Sequence, residues 1–146
     1  MKGRYISLDG METPQDVVRR IISVRFAEVL SAATALKTGR AGELHALRIG
    51  CKRLRYCIEL FVAEVPGLAS AGSRVRQLQD ELGEVHDCDV LSKMAKDRDA
   101  EHLLRRLKRD RERHALRANA LWANAFSQGG PFAELIAFTG FGGRSQ

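Results

Sequence analysis

The feature that most constrains the fold is a regular apolar spacing between residues 43 and 65. Apolar residues recur there at intervals of four, three, four, three and four positions: Leu47, Cys51, Leu54, Ile58, Phe61 and Val65. Each residue turns an α-helix by about 100°, so this spacing places all of them on one narrow face. The segment is therefore predicted to be a helix that buries this face against other helices.

Proline and glycine residues separate four long helical segments. The first is predicted to begin at Thr13, whose side chain can cap a helix that has Pro14 in its first turn, and to end near residue 37. The others are predicted over residues 43–65, 70–95 and 98–126, with a short helical piece over 132–138. No segment shows the alternation of a strand, and long helices with short links predict an all-α, antiparallel four-helix bundle.

This bundle is predicted to form one domain over residues 13–138, because a chain of 146 residues suits a single domain. Residues 1–12 and 139–146 are predicted to be tails. In the last long helix, the predicted core positions are Leu103, Leu107, His114 and Leu121.

The second helix also carries a face rich in positive charge. Basic residues recur there at intervals of three, four and three positions, roughly 120–160° around the helix from its apolar face: His45, Arg48, Lys52 and Arg55. Like charges at these spacings repel, and Glu59 is the one acid that continues the face, so a bound anion would stabilise it. The 24 Lys and Arg residues against 18 acids also favour an anionic partner. The alternative is an ordinary solvated face.

Two segments carry a resemblance to a known family. Residues 45–61, HALRIGCKRLRYCIELF, resemble the H-x-x-R-x-x-x-K/R-R-x-R-x-x-x-E-x-F signature of CHAD domains, the conserved histidine α-helical domains. Residues 78–91, LQDELGEVHDCDVL, are similar to the family's second segment, L-G-x-x-x-D-x-D-V. Two motifs in the family's order make a more specific signal than either motif alone.

The resemblance implies an all-helical domain that binds inorganic polyphosphate in a basic channel, with no catalytic activity, metal or cofactor of its own. On the matching positions it implies polyphosphate contacts from His45, Arg48, Lys52 and Arg55. A full CHAD domain resembles two four-helix bundles, each with its own copy of the first motif, whereas this sequence has one copy. The resemblance therefore implies half of a CHAD-type double bundle, and two chains are expected to pair as a homodimer that rebuilds the channel. The alternative is a truncated or minimal form of the domain.

Three further arginines are candidates for additional polyphosphate contacts: Arg25, Arg53 and Arg111. By its spacing, Arg25 falls on the apolar face of the first helix, where a charged group needs a partner. The favoured prediction for Arg25 is an interhelical salt bridge to Asp87 or Asp89.

Three acids are expected to orient the cations: Asp87, Asp89 and Glu59. Asp89 is expected to point inward and to hold an arginine of the second helix. The alternative is that the two aspartates only fix the register of the bundle.

Two other functions remain open from the sequence. The order His45, His86-Asp87, Asp110 matches that of HD-type metal-dependent phosphohydrolases, but this short pattern has many chance matches and the basic residues beside His45 leave little room for a metal. Generic nucleic-acid binding is allowed by the charge, although the chain has few aromatic residues and no helix-turn-helix signature.

The sequence also bears on location. No unbroken apolar run reaches the roughly 18 residues of a membrane span, and the first nine residues lack the apolar core of a signal peptide. The three cysteines, Cys51, Cys57 and Cys88, show no C-x-x-C spacing. We therefore expect a cytoplasmic protein with no structural metal and no membrane contact.

Overall fold

The structure, a computed structural model, describes residues 2–141 and is all-helical over that range. The helices, in chain order, are α1 (Pro14–Ala32), α2 (Ala35–Thr38), α3 (Ala41–Phe61), α4 (Ala69–Lys96), α5 (Glu101–Ala125) and α6 (Ala133–Thr139), with one 3-10 turn at Pro66–Leu68. This confirms the predicted helical bundle with a short C-terminal helix. The predicted C-terminal tail lies outside the described residues from residue 142 onward.

The first helix begins at the predicted cap. The Thr13 hydroxyl accepts a hydrogen bond from the Asp16 amide at 3.1 Å, and Pro14 occupies the first helical position. Its end differs from the prediction, because the chain turns after Ala32 and forms the single-turn helix α2, which ends at Gly39 with a φ of 66°. Glycine adopts this left-handed conformation without strain.

The core forms along the predicted apolar face of α3. Helix α1 packs against α3, α3 against α4, and α4 against α5. The largest buried cluster joins one face of each of the first three long helices with parts of α5 and α6; from α3 it takes Leu44, Leu47, Cys51, Leu54 and Ile58. Phe61 and Val65, at the end of the predicted stripe, are only partly buried. Burying a large aliphatic side chain contributes about 1.5–3 kcal/mol, so this face holds α3 in place.

The register of α5 differs from the prediction. Leu107 is buried as expected, but Leu103 is 44% exposed, and the remaining buried positions of α5 are Ala118 and Ala125. Small side chains at the contact allow α4 and α5 to approach closely, which the apolar spacing of α5 alone does not reveal. His114, placed in the core stripe by the prediction, is half-buried and lies 2.6 Å from a carboxylate oxygen of Glu81 on α4.

The segments that precede α1 and α6 both contact α1. In the N-terminal segment, the Arg4 amide donates a hydrogen bond to Glu28 of α1 at 2.8 Å. At the other end of the chain, Phe132 is fully buried, and its ring lies 5.7 Å from that of Phe26 in an edge-to-face arrangement. Among the described helices, none combines the length and the apolar character that crossing a bilayer requires.

Candidate anion-binding site

The basic residues of α3 lie where α3 meets α4. The imidazole rings of His45 and His86 are stacked, with their centroids 4.7 Å apart. One turn further along α3, the Arg48 Nε atom lies 3.6 Å from the position that a Cβ atom on Gly83 would occupy. The structure therefore brings the two sequence motifs together, since Gly83 and His86 belong to the second motif.

We call this contact the α3–α4 seam and define it by four residues of α3 and three of α4: His45, Arg48, Lys52, Arg55, Gln79, Gly83 and His86. The pairs His45–His86 and Arg48–Gly83 run in opposite directions along the two helices, as antiparallel packing requires. Continued by one turn, the same register places Gln79 opposite Lys52. The α4 residues are spaced by four and three positions, which keeps them on one face of that helix.

Burial differs among the four basic residues of α3. His45, Arg48 and Arg55 are partly buried, and the Arg55 side chain is only 15% exposed, whereas Lys52 is exposed. Three of the four basic residues thus occupy the edge of the core, while Lys52 lies on the solvated surface. Partial burial lowers the local dielectric and strengthens the interaction of these groups with an anion.

Several polar atoms in the seam are buried and have no hydrogen-bond partner within residues 2–141: His45 Nδ1, Arg48 Nε, Arg55 Nε and Gln79 Oε1. An unsatisfied buried polar group costs about 1–3 kcal/mol. Native proteins retain few such groups, and a cluster of them in one place indicates a site where a polar ligand or ordered water completes the structure.

Arg55 is held in position by its neighbours. Its Nη1 atom lies 3.2 Å from a carboxylate oxygen of Glu59, and the same oxygen accepts a hydrogen bond from Arg76 of α4 at 2.7 Å. The Arg55 guanidinium also lies over the ring of Tyr56, 4.6 Å from its centroid. Glu59 therefore pairs with an arginine of each helix, and it partly neutralises Arg55.

Three residues of α4 that lie on this side of the molecule were not predicted to bind an anion: Arg76, Gln79 and His86, the last of which entered only the alternative HD-type pattern. Their signal was present in the sequence, because positions 76, 79, 83 and 86 repeat the three-four-three spacing of the basic residues on α3. The series was not recognised because Gly83 interrupts it, and a glycine has no polar side chain that would continue the pattern.

The pKa of His45 is lowered from its ordinary value. Burial is the main cause, followed by the charges of His86 and Arg48. The lowered pKa favours the neutral form of the His45 imidazole at neutral pH.

The predicted partner of Arg25 was wrong. Arg25 donates two hydrogen bonds to Glu28, at 3.0 and 3.1 Å, and makes no contact with Asp87 or Asp89. Glu28 lies one turn along the same helix, whereas the aspartates belong to α4, and the main neighbours of α1 are α3 and α6. Arg53, the neighbour of Arg25 across Gly3, likewise lies on the α1 side of α3 and away from the seam.

The predicted partner of Asp89 was also wrong. Asp89 accepts a hydrogen bond from Arg111 of α5 at 2.6 Å instead of holding an arginine of α3. Arg111 also donates to the Gly39 carbonyl at 2.8 Å, so this arginine joins α4, α5 and the end of α2 and does not reach the seam. Asp87 is exposed, and no hydrogen bond or ion pair is found for it among residues 2–141.

The alternative HD-type pattern requires its metal-ligand residues to lie close together in the structure. The rings of His45 and His86 are adjacent, but Asp110 of α5 bonds instead to Arg113 at 3.0 Å. Within the described part of the chain, no three His, Cys, Asp or Glu side chains are grouped so as to hold a metal ion.

Comparison with known proteins identifies the family. The family model described as "CHAD domain" matches residues 6–96, which include both motifs and the whole seam. No curated protein and no solved structure matches the chain. The match extends over more than half of the sequence, and it agrees with the helical fold and with the contact between the two motifs. This chain belongs to the CHAD domain family.

Proposed function

We propose that this protein binds inorganic polyphosphate along the α3–α4 seam and that it does so without catalysis. The observation that carries the proposal is the position of Arg48, which lies beside Gly83 with its buried Nε atom unpartnered in the described structure. A cation held at the edge of the core with an unpartnered donor is a group that a phosphate oxygen can satisfy. The association of CHAD domains with polyphosphate supports this ligand.

The dimensions of the seam suit a linear polyanion. An α-helix rises about 1.5 Å per residue, so the path from His45 to Arg55 is about 15 Å long and passes several phosphate units. The planar fork of Arg48 or Arg55 binds two oxygens at once, while Lys52 at the exposed edge supplies a point charge. A repeating ligand requires such a row of contacts and no reactive group.

We further propose that two copies of the chain associate so that their seams face one another. One copy of the motif gives one basic row, and a second row would enclose the polyanion. Tyr56 and Leu60 are 51% and 70% exposed, and they follow Lys52 at intervals of four residues on the outer side of α3. Molar mass measured by light scattering tests this point: a dimer is expected with polyphosphate bound, and a monomer in both states would contradict it.

A second surface favours nucleic acid as an alternative polyanion. Residues 101–117 of α5 contain seven Lys and Arg residues against three acids. Three of these basic residues lie on the exposed side of α5, and no ion pair is found for them within residues 2–141: Arg105, Lys108 and Arg109. A competition experiment at constant salt concentration distinguishes the two ligands. We expect long-chain polyphosphate to displace DNA of matched charge.

The proposal is tested by two double variants that remove the same charge. Arg48→Ala with Arg55→Ala is expected to weaken polyphosphate binding by at least about a hundredfold, because each hydrogen bond to a charged group contributes about 1.5–3 kcal/mol. Arg105→Ala with Arg109→Ala is the matched control, with an expected loss below about threefold from long-range attraction. Calorimetric titration measures both affinities, and circular dichroism checks that each variant remains helical. Equal losses would show that binding follows net charge and not the seam.

A further inference from the structure

Two histidines from different motifs meet at one end of the seam. Both side chains are partly buried, their rings are stacked with centroids 4.7 Å apart, and the Nδ1 atom of His45 is buried without a partner in the described structure. The nearest cation on the same helix is Arg48, one turn away. This end of the seam thus contains two imidazoles, where the remainder of the row contains permanent cations.

A neutral imidazole has one N–H donor, whereas an imidazolium has two and carries a charge. Two adjacent imidazolium groups repel in the absence of a ligand, and the burial of His45 opposes its protonation as well. An anion placed beside the pair reverses both effects, because a nearby negative charge favours the protonated form. Binding of an anion and binding of a proton are therefore linked at this position.

We propose that His45 and His86 together form a phosphate-binding subsite that takes up a proton when a phosphate group of the ligand enters it. This inference rests on the proposed polyphosphate binding, and it adds His86 of α4 as a binding residue. The subsite is distinct from the contacts of Arg48, Lys52 and Arg55, which hold the ligand at any pH.

The surroundings of the pair support this behaviour. On α4, Asp87 follows His86 but is exposed, and Asp89 is engaged by Arg111 of α5.

On the α1 side of α3, a separate cavity is lined by Lys2, Arg4, Glu28 and Glu43, together with Ala46, the residue that follows His45 in the sequence. Glu28 is already bonded to Arg25. Asp87 is exposed to solvent, and Asp89, Glu28 and Glu43 are each paired with an arginine, so an external anion is the group that can stabilise positive charge on the pair.

The experiment measures polyphosphate affinity at about pH 6 and about pH 8 with long-chain material, whose internal units remain ionised over this range. The wild-type protein is expected to bind about threefold to tenfold more tightly at the lower pH. Calorimetry in buffers of different ionisation enthalpy should show proton uptake near pH 7.

Two variants at His86 and one control separate the subsite from general electrostatics. His86→Gln is expected to lose most of the pH dependence while still binding at about pH 8, and His86→Arg is expected to bind tightly at both pH values. His102→Gln removes an exposed histidine of α5 and should behave as the wild type. Circular dichroism verifies that each variant is folded.

The outcomes distinguish this inference from the proposed function. Polyphosphate binding with no proton uptake, or with the same pH dependence in His86→Gln as in the wild type, would overturn the subsite and leave the seam as the binding site. A wild-type protein that binds no polyphosphate at either pH would overturn both proposals.

Discussion

Arg48 of α3 lies against Gly83 of α4, with its Nε atom 3.6 Å from where a Cβ of that residue would stand. This separation is an ordinary van der Waals distance, so a methyl group fits there. The glycine is therefore not required by the packing of the two helices. Its consequence is instead that α4 presents no side chain to Arg48 at this point.

Replacing this glycine should stabilise the protein, because glycine in a helix interior costs about 0.5–1 kcal/mol relative to alanine. Gly83→Ala is expected to raise the free energy of unfolding by about that amount in urea denaturation. Gly72→Ala is the matched control in the same helix: its Cβ would stand 2.9 Å from Cγ2 of the buried Ile58, and overpacking of this kind costs about 1–3 kcal/mol. Stabilisation by both changes, or by neither, would contradict the space that the structure shows around Gly83 and Gly72.

The pair formed by Arg25 and Glu28 is expected to be structural. Glu28 is only 4% exposed, and Arg25→Met would leave its carboxylate with the Arg4 amide as its remaining partner in the described chain. We expect a loss of about 3 kcal/mol in the free energy of unfolding and no change in polyphosphate affinity, because Arg25 lies away from the seam.

Two further variants check the Arg25 prediction. Arg40→Met breaks the exposed Arg40–Glu43 pair and should cost less than about 1 kcal/mol. Adding Glu28→Leu to Arg25→Met should recover stability, since a buried pair replaced by apolar residues is often neutral or stabilising. A large loss of polyphosphate binding in folded Arg25→Met would show that Arg25 contacts the ligand, contrary to this prediction.

Arg111 is expected to connect helices and not to bind the ligand. Arg111→Met removes the partner of Asp89 and of the Gly39 carbonyl, and should lower the free energy of unfolding by about 2–3 kcal/mol. Its neighbour Arg113 pairs with Asp110 at an exposed position, so Arg113→Met should cost less than about 1 kcal/mol. Equal stability of the two variants would show that the contacts of Arg111 with Asp89 and the Gly39 carbonyl do not stabilise the fold.

The lowered pKa of His45 makes the stability of the free protein depend on pH. His45 is less readily protonated in the folded state than in the unfolded state, whose pKa is about 6.5. Its contribution to stability is therefore present above about pH 6.5 and is lost as the pH falls through the folded-state pKa.

The variant His45→Gln tests this linkage. Between about pH 7.5 and about pH 5.5, the free energy of unfolding should fall less in His45→Gln than in the wild type. His102→Gln, which changes an exposed histidine, should show the wild-type decrease. An identical decrease in all three proteins would contradict the assigned cause of the pKa shift.

Much of the fold followed from local signals. The apolar spacing of α3 identified its buried face, and the glycine and proline residues located the helix ends to within about five residues, since caps and helical periodicity depend on neighbours in the sequence. The register of α5 did not follow, because Leu103 and Leu107 have similar local patterns and only the approach of α4 selects the position that is buried.

The ion pairs were the least predictable part of the candidate site. Arg25 and Asp89 were each correctly expected to need a partner, since buried charges are costly. The partners themselves were wrong, because they depend on which helices are adjacent and on the reach of long side chains, and sequence spacing specifies neither across helices.

By itself, the sequence determined that this chain forms amphipathic helices, that one of them carries an apolar and a basic face, and that both family motifs are present. These properties depend on the order of residues along one helix at a time. Only the tertiary structure decided that the basic face lies at the edge of the core against Gly83 and His86, and that Arg25 and Arg111 are engaged elsewhere. The physical reason is that the antiparallel register of α3 and α4 is set by the packing of both apolar faces together, and this register selects the side chains that meet across the seam.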